Sequence, residues 1–355
     1  MTYIRGTPPY DDQGRRLRPT NCVWTPQPGQ WALGAHKICQ QITDEIPEDH
    51  EAIWEDVDHN RFCIRPQPVV PATFDENMQI KPIFHTSAVG IYKIGRGVIV
   101  KFKHMGKGGS DREPEAMKLI RKEAPSVPVP DVFHHWKDPT WFLYITIMRE
   151  VPGVEIGGVW FALEESQKQR LAEEVAEHFR AIASIQRETA SYANGENLSD
   201  GYLIPDSYEI FTNEWAEPEK GAHRLNFKQL NEYRQSKELP LLPGEPGDSF
   251  HLCHMDANPD HIFVSDGVTT LPNEYIKHLP LEEQAKLHVC AIIDFERAAF
   301  YPKFMVTWQL QSVLRHGLAN HIYGKPSSAA DEFDEEVIKA LMKLGFPNPE
   351  GIRVW

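Results

Sequence analysis

The stretch VGIYKIGRGVIVKFK, residues 89–103, limits what this chain can fold into more than any other. It holds two short runs rich in β-branched residues, joined by the glycine-rich IGRG. β-Branched side chains favour strands and the glycines permit a tight reversal, so a hairpin is predicted here. The segment TWFLYITIMREVPG, residues 140–153, reads as a buried strand stopped by Pro152 and Gly153. Between them, DREPEAMKLIRKEA carries Pro114 and acidic residues near a start, then Met117, Leu119 and Ile120, which marks a short helix beginning near 112. VPVPDVFHHW follows and must be extended, because a residue before proline avoids the helical region. Sheet therefore dominates from residue 83 to a hinge near 148–153.

Beyond the hinge the period changes. Leu171, Val175, Phe179, Ile182 and Ile185 line one face of a long helix over 164–186. SFHLCHMDANPDHIFVSDG and VCAIIDFERAAFYP are short apolar segments with acidic residues at their edges. SSAADEFDEEVIKALMKLGFP closes the chain as a helix, with Ser328 and Asp331 placed as a capping box and Gly345 and Pro347 as the stop. A chain of 355 residues exceeds what one hydrophobic core serves. The expected organisation is an extension over residues 1–70, a small lobe over 71–150 and a larger lobe over 151–355. The expected class is α+β, with an antiparallel sheet in the small lobe and mainly helices in the large one.

Composition excludes several functions. Acidic residues outnumber basic ones 51 to 37, a formal charge of -14, so a general polyanion-binding face and a nucleic-acid partner are not expected. No run approaches the length of apolar residues a membrane helix needs, and the N-terminal stretch lacks the apolar core of a signal peptide, so the cytoplasm is the expected setting. Five cysteines, scattered without CxxC spacing, indicate neither a disulfide framework nor a zinc site.

Asp256 and Asp294 each adjoin an apolar run that places them at a strand end. Taken singly, such an aspartate is usually a turn or capping residue. Taken together they fit phosphoryl transfer, in which one carboxylate accepts a hydroxyl proton and another holds a divalent cation against phosphate oxygens. Lys101 at the end of VIVK and Glu113 at the helix start precede them, giving the order lysine, glutamate, hinge, base, metal acid.

With these residues in view the chain resembles the aminoglycoside phosphotransferases and choline-kinase-like small-molecule kinases, in particular their filamentous-fungal branch, over roughly residues 85–310. HMDANPDH is similar to the family's H-x-D motif with its downstream Asn, and AIIDFERAAFYP to its second acidic segment. The resemblance implies a protein-kinase-like two-lobe fold and ATP-dependent phosphorylation of a hydroxyl or amine on a small molecule. Asp256 would be the base, Asp294 the metal ligand and Glu296 a supporting acid. Lys101 would hold the nucleotide phosphates, oriented by Glu113 or, failing that, Glu115. Backbone groups near Glu150 and Val151 would meet the adenine. The segment HTSAVG lacks the Gly-x-Gly-x-x-Gly pattern, which leaves Ser87 and Gly90 to offer backbone N–H groups to phosphate. His254 would brace the loop.

His261 departs from the family, which has asparagine there. Mg²⁺ is hard and prefers oxygen, whereas imidazole suits Mn²⁺ or other transition ions. Three readings stay open: a kinase relying on Asp294 or preferring Mn²⁺, a kinase-like fold with impaired transfer, and a metabolite-binding protein or enzyme of another class. Asn258 is an alternative source of a ligand oxygen. Tyr202, Tyr208, Phe211 and Trp215 are candidates for an acceptor pocket, although aromatics in such a lobe more often fill its core.

Overall fold

A computed structural model describes residues 22–43, 45–67, 80–105, 112–198, 203, 225–266, 282, 286–310 and 328–349. It divides into two compact units, Met1–Pro114 with Pro130–Glu150, and Glu115–Val129 with Val151–Trp355.

The first unit is built on two antiparallel sheets. Strands β1 (Val23–Trp24), β2 (Gln30–Leu33), β3 (Lys37–Ile42), β4 (Ala52–Glu55) and β5 (Arg61–Pro66) form one, in the order β1-β2-β3-β5-β4. The sequence reading has only an extension in this stretch. Its strands reach at most six residues and mix half-buried Gln, Lys and Arg between their apolar positions, so the alternating signal never runs long enough to stand out.

Strands β6 (Phe84–His85), β7 (Val89–Lys93), β8 (Val98–His104), β9 (Val132–Asp138) and β10 (Leu143–Arg149) form the second sheet, in the order β6-β7-β8-β10-β9. The expected hairpin is β7–β8, and its turn requires the glycines: Gly95 and Gly97 adopt φ of 65° and 74°. In β8, Val98, Val100 and Phe102 are buried and the intervening Ile99, Lys101 and Lys103 are half-buried. The buried face shares one core with the first sheet, where Leu33, Cys39, Phe62 and Ile64 meet Val100, Phe102, Leu143 and Ile145. Because side chains alternate along a strand, filling that core turns Lys101 to the opposite face.

One carboxylate ties the two sheets together. Asp138 is 0% exposed and accepts hydrogen bonds from the N–H groups of Ala35 (2.6 Å), Thr140 (3.0 Å) and Trp141 (3.0 Å). Gly34 approaches it so closely that a Cβ there would stand 2.4 Å from Asp138 Oδ2.

Helix α1 (Arg112–Glu123) crosses the division between units. The second unit continues with β11 (Val154–Glu155), α2 (Ile156–Val159), α3 (Glu165–Ala183), β12 (Gln186–Arg187), α4 (Phe227–Ser236), β13 (Phe250–Cys253), β14 (Ile262–Ser265), β15 (His288–Ile292), β16 (Ala299–Pro302), α5 (Met305–Trp308) and α6 (Ser328–Lys343). The stripe read from the sequence is the buried face of α3, which ion pairs join to α6 through Lys168–Glu332 at 2.6 Å and Lys343–Glu173 at 3.1 Å. Ser328 opens α6, but its side chain lies outside the described residues, as do Tyr202, Tyr208, Phe211 and Trp215. Two three-stranded antiparallel sheets, β11-β14-β15 and β12-β13-β16, run through this unit. The chain is thus α+β, with antiparallel sheets in the first unit and the longer helices in the second. All five cysteines are free thiols. Among the described residues no helix is long and apolar enough to cross a membrane.

Candidate active site

Strand register brings the acidic groups of the second unit together. β14 and β15 pair antiparallel with Ile262 opposite Ile292, so the residue before the first meets the residue after the second. The Ile293 N–H donates to the His261 carbonyl at 3.0 Å, which sets His261 one residue from Asp294. Asp294 adopts φ 63° and ψ 49°, a left-handed bend that ends the strand and precedes a short 3₁₀ turn, Phe295–Arg297. His261 closes another such turn, Pro259–His261.

From the neighbouring sheet, β13 delivers the loop His254–Met255–Asp256. His254 is 1% exposed and spans the gap. Its Nε2–H donates to the Ile293 carbonyl at 2.7 Å, and its Nδ1 accepts the Asp256 N–H at 3.2 Å. Both bonds fit one neutral tautomer. Burial, aided by the facing His261, pushes the His254 pKa down to about 4, which keeps the ring neutral. The bracing role expected of His254 is what these contacts perform.

The loop is also held from below. Met255 adopts φ 62°, an uncommon conformation for a side-chain-bearing residue. Its N–H donates to Oε1 of buried Gln309 at 2.7 Å, and Nε2 of Gln309 donates to the Val306 carbonyl at 3.0 Å. Sequence reasoning missed Gln309. It stands in the apolar run FMVTWQLQ, 53 residues from Asp256 in a direction no local pattern reports.

Asp256, His261 and Asp294 offer ligand atoms that all lie within 4.8 Å of one another, a donor set that fits a divalent cation. His261 Nε2 is 3.4 Å from Asp294 Oδ2. Nothing among the described residues donates to the Asp256 carboxylate, so its lone pairs are open to a proton or a cation. The Asn258 side-chain oxygen is taken up by the Asp260 N–H at 2.9 Å, as the cap of the 3₁₀ turn.

The first unit carries Ser87, Gly90, Lys101, Glu113 and Glu150, and the second Glu115, Val151 and Glu296. Lys101 Nζ donates to Glu113 Oε2 at 2.7 Å, with side chains only 12% and 9% exposed. Glu115 instead pairs with Lys118 along the helix at 3.3 Å, so Glu113 is the partner. Ser87 is exposed in the β6–β7 turn, where Thr86 Oγ1 accepts from the N–H groups of Ala88 and Val89 at 3.2 and 3.1 Å. Gly90 faces His85 across that hairpin. The Glu150 N–H donates to the Gly97 carbonyl at 2.8 Å and its carboxylate pairs with Lys93. Glu296 lies in the turn after Asp294, half-buried.

No family model matches the chain, and no curated protein matches it. Solved structures that match include a thermostable mutant of aminoglycoside phosphotransferase APH(4)-Ia with AMP-PNP and hygromycin B, at 14% identity and a TM-score of 0.40, covering 74% of this chain and 86% of that one. A streptomycin–ATP ternary complex of APH(2")-IIa matches at 14% identity and a TM-score of 0.41, covering 74% and 76%. A GDP and kanamycin complex of APH(2")-IIIa matches at 16% identity and 0.42, covering 74% and 76%.

Proposed function

We propose that the chain is an ATP-dependent phosphotransferase acting on a hydroxyl or amine of a small molecule, in the cytoplasm and without a nucleic-acid or membrane partner. The observation that carries this reading is the convergence of Asp256, His261 and Asp294 at two strand ends braced by a neutral His254.

Asp256 orients the acceptor and takes its proton; the open carboxylate and the fixed backbone on either side suit that task. Asp294 and His261 hold a divalent cation, Mg²⁺ or Mn²⁺, which when bound screens the charge on phosphate oxygens. Lys101 binds phosphate, and Glu113 keeps its ammonium in place through a largely buried ion pair. Ser87 and Gly90 lie in the hairpin that offers N–H groups to phosphate. Since the Glu150 amide is spent on Gly97, the Glu150 carbonyl and the Val151 amide are the groups assigned to adenine.

A second reading is favoured by one observation. The ligand atoms of all three, Asp256 included, lie within 4.8 Å of one another, so Asp256 would serve as a ligand and not as a base, in a metabolite-binding protein or an enzyme of another class.

Nucleotide binding tests the first reading. ATP at about 100 times its dissociation constant should stabilise the native protein by about 2.7 kcal/mol, a shift of several degrees in the unfolding midpoint. The double variant Lys101→Met/Glu113→Gln removes both charges together, so no unpaired buried carboxylate remains. At the same ATP concentration it should lose most of that shift. A native midpoint that ATP does not move, with either metal, contradicts the reading.

A further inference from the structure

His261 is the site residue that magnesium-dependent transfer explains least, since magnesium takes oxygen ligands. Its ring is held so that one nitrogen is used and the other presented. Nδ1 lies 2.8 Å from the Asp256 carbonyl oxygen, which can only accept, so the ring proton resides on Nδ1. The remaining neighbour, Nδ2 of Asn258, is 3.0 Å from Nδ1 and 3.5 Å from Nε2. An amide in the ring plane on the Nδ1 lone pair would stand much farther from Nε2, so Asn258 lies over the ring face and occupies neither lone pair. The bond from the Asp260 N–H to the Asn258 oxygen fixes that orientation.

In the neutral ring the Nε2 lone pair faces a carboxylate oxygen of Asp294 at 3.4 Å; in a protonated ring Nε2–H would donate to that oxygen instead. Two acceptors at that separation repel unless a cation lies near both. Giving one ring N–H to a backbone carbonyl while the other nitrogen faces the ion is the arrangement metal-bound histidines adopt.

We infer that His261 Nε2 is a direct metal ligand and that the site selects a divalent first-row transition ion over magnesium, with Mn²⁺ serving as the spectroscopic probe. The inference rests on the phosphotransfer reading for its purpose and on the ring geometry for its substance. Imidazole suits first-row transition ions, and carboxylate and water suit magnesium, so one nitrogen beside the Asp294 carboxylate tips the preference. The Asp256 carbonyl becomes a positioning group for the metal: the backbone of the residue assigned as base aims the histidine.

The experiment uses the full chain with Mn²⁺ alone, then Mn²⁺ with ATP, and reads the electron spin-echo modulation of the bound ion. Directly bound imidazole gives a ¹⁴N modulation that changes on labelling the protein with ¹⁵N-histidine, a check that needs no substitution. Mg²⁺ should displace the ion only at large excess. His261→Asn should abolish the nitrogen modulation and reduce the preference for Mn²⁺ over Mg²⁺ by roughly 10-fold or more. His261→Gln serves if the first variant does not fold. Bound Mn²⁺ without nitrogen modulation overturns the inference and leaves phosphotransfer standing, with His261 then an ion-pair partner of Asp294. Absence of bound Mn²⁺, with and without ATP, overturns both.

Discussion

Asp256→Asn lowers the rate of phosphoryl transfer by about 10²–10⁴-fold, the usual contribution of a positioned general base, and leaves ATP affinity nearly unchanged. The substitution keeps the side chain's shape and removes its capacity to take a proton. It touches none of the backbone bonds that hold the loop, from the Asp256 N–H to His254 and from His261 to the Asp256 carbonyl. Turnover should therefore fall without a matching change in nucleotide binding, which marks an interaction made only in the transition state. The check is a paired measurement of ATP consumption and ATP affinity in the two proteins. An unchanged rate removes Asp256 as the base. A rate lost together with metal affinity favours the second reading, in which Asp256 is a ligand.

The second large effect concerns stability in the first unit. Asp138→Ala leaves the buried N–H groups of Ala35 and Trp141 and the half-buried one of Thr140 without their acceptor. A buried donor stripped of its partner costs about 1–3 kcal/mol, so the loss should be about 3 kcal/mol or more. At a few degrees per kcal/mol the unfolding midpoint of that unit falls by roughly 10 °C. Asp138→Asn keeps one acceptor oxygen and should recover part of it. Calorimetry of both variants checks this, and a midpoint within a degree of the native value for Asp138→Ala would show that the carboxylate does not join the sheets.

What the sequence made legible depended on how far apart the cooperating residues are. The β7–β8 hairpin and the stripe along α3 were readable because their signals lie within one or two turns of chain. Asp256 and Asp294 drew attention because each adjoins an apolar run, and strand ends are where carboxylates can meet; His261 drew it only as the histidine standing where the resembled family has asparagine. The first sheet was not, since strands of two to six residues with glutamine and arginine between the apolar positions give no sustained period. Asp138 and Gln309 were not readable for another reason. Each bonds to backbone far along the chain, to Ala35 and to Met255, and a backbone partner leaves no residue type to notice. The ring geometry of His261 lay equally out of reach: the sequence shows a histidine where asparagine was expected, and only the fold shows which nitrogen faces Asp294.

The measurement that bears most directly on the central claim is transfer itself. Native protein and Asp256→Asn are incubated with a small-molecule extract, Mn²⁺ or Mg²⁺, and ATP carrying ¹⁸O in its terminal phosphate, and the products are read by mass spectrometry. The expected result is at least one metabolite that gains a labelled phosphoryl group with native protein and fails to gain it with the variant. If ATP binds to both proteins yet no labelled product forms with either metal, the chain does not transfer phosphate and the base role assigned to Asp256 is wrong.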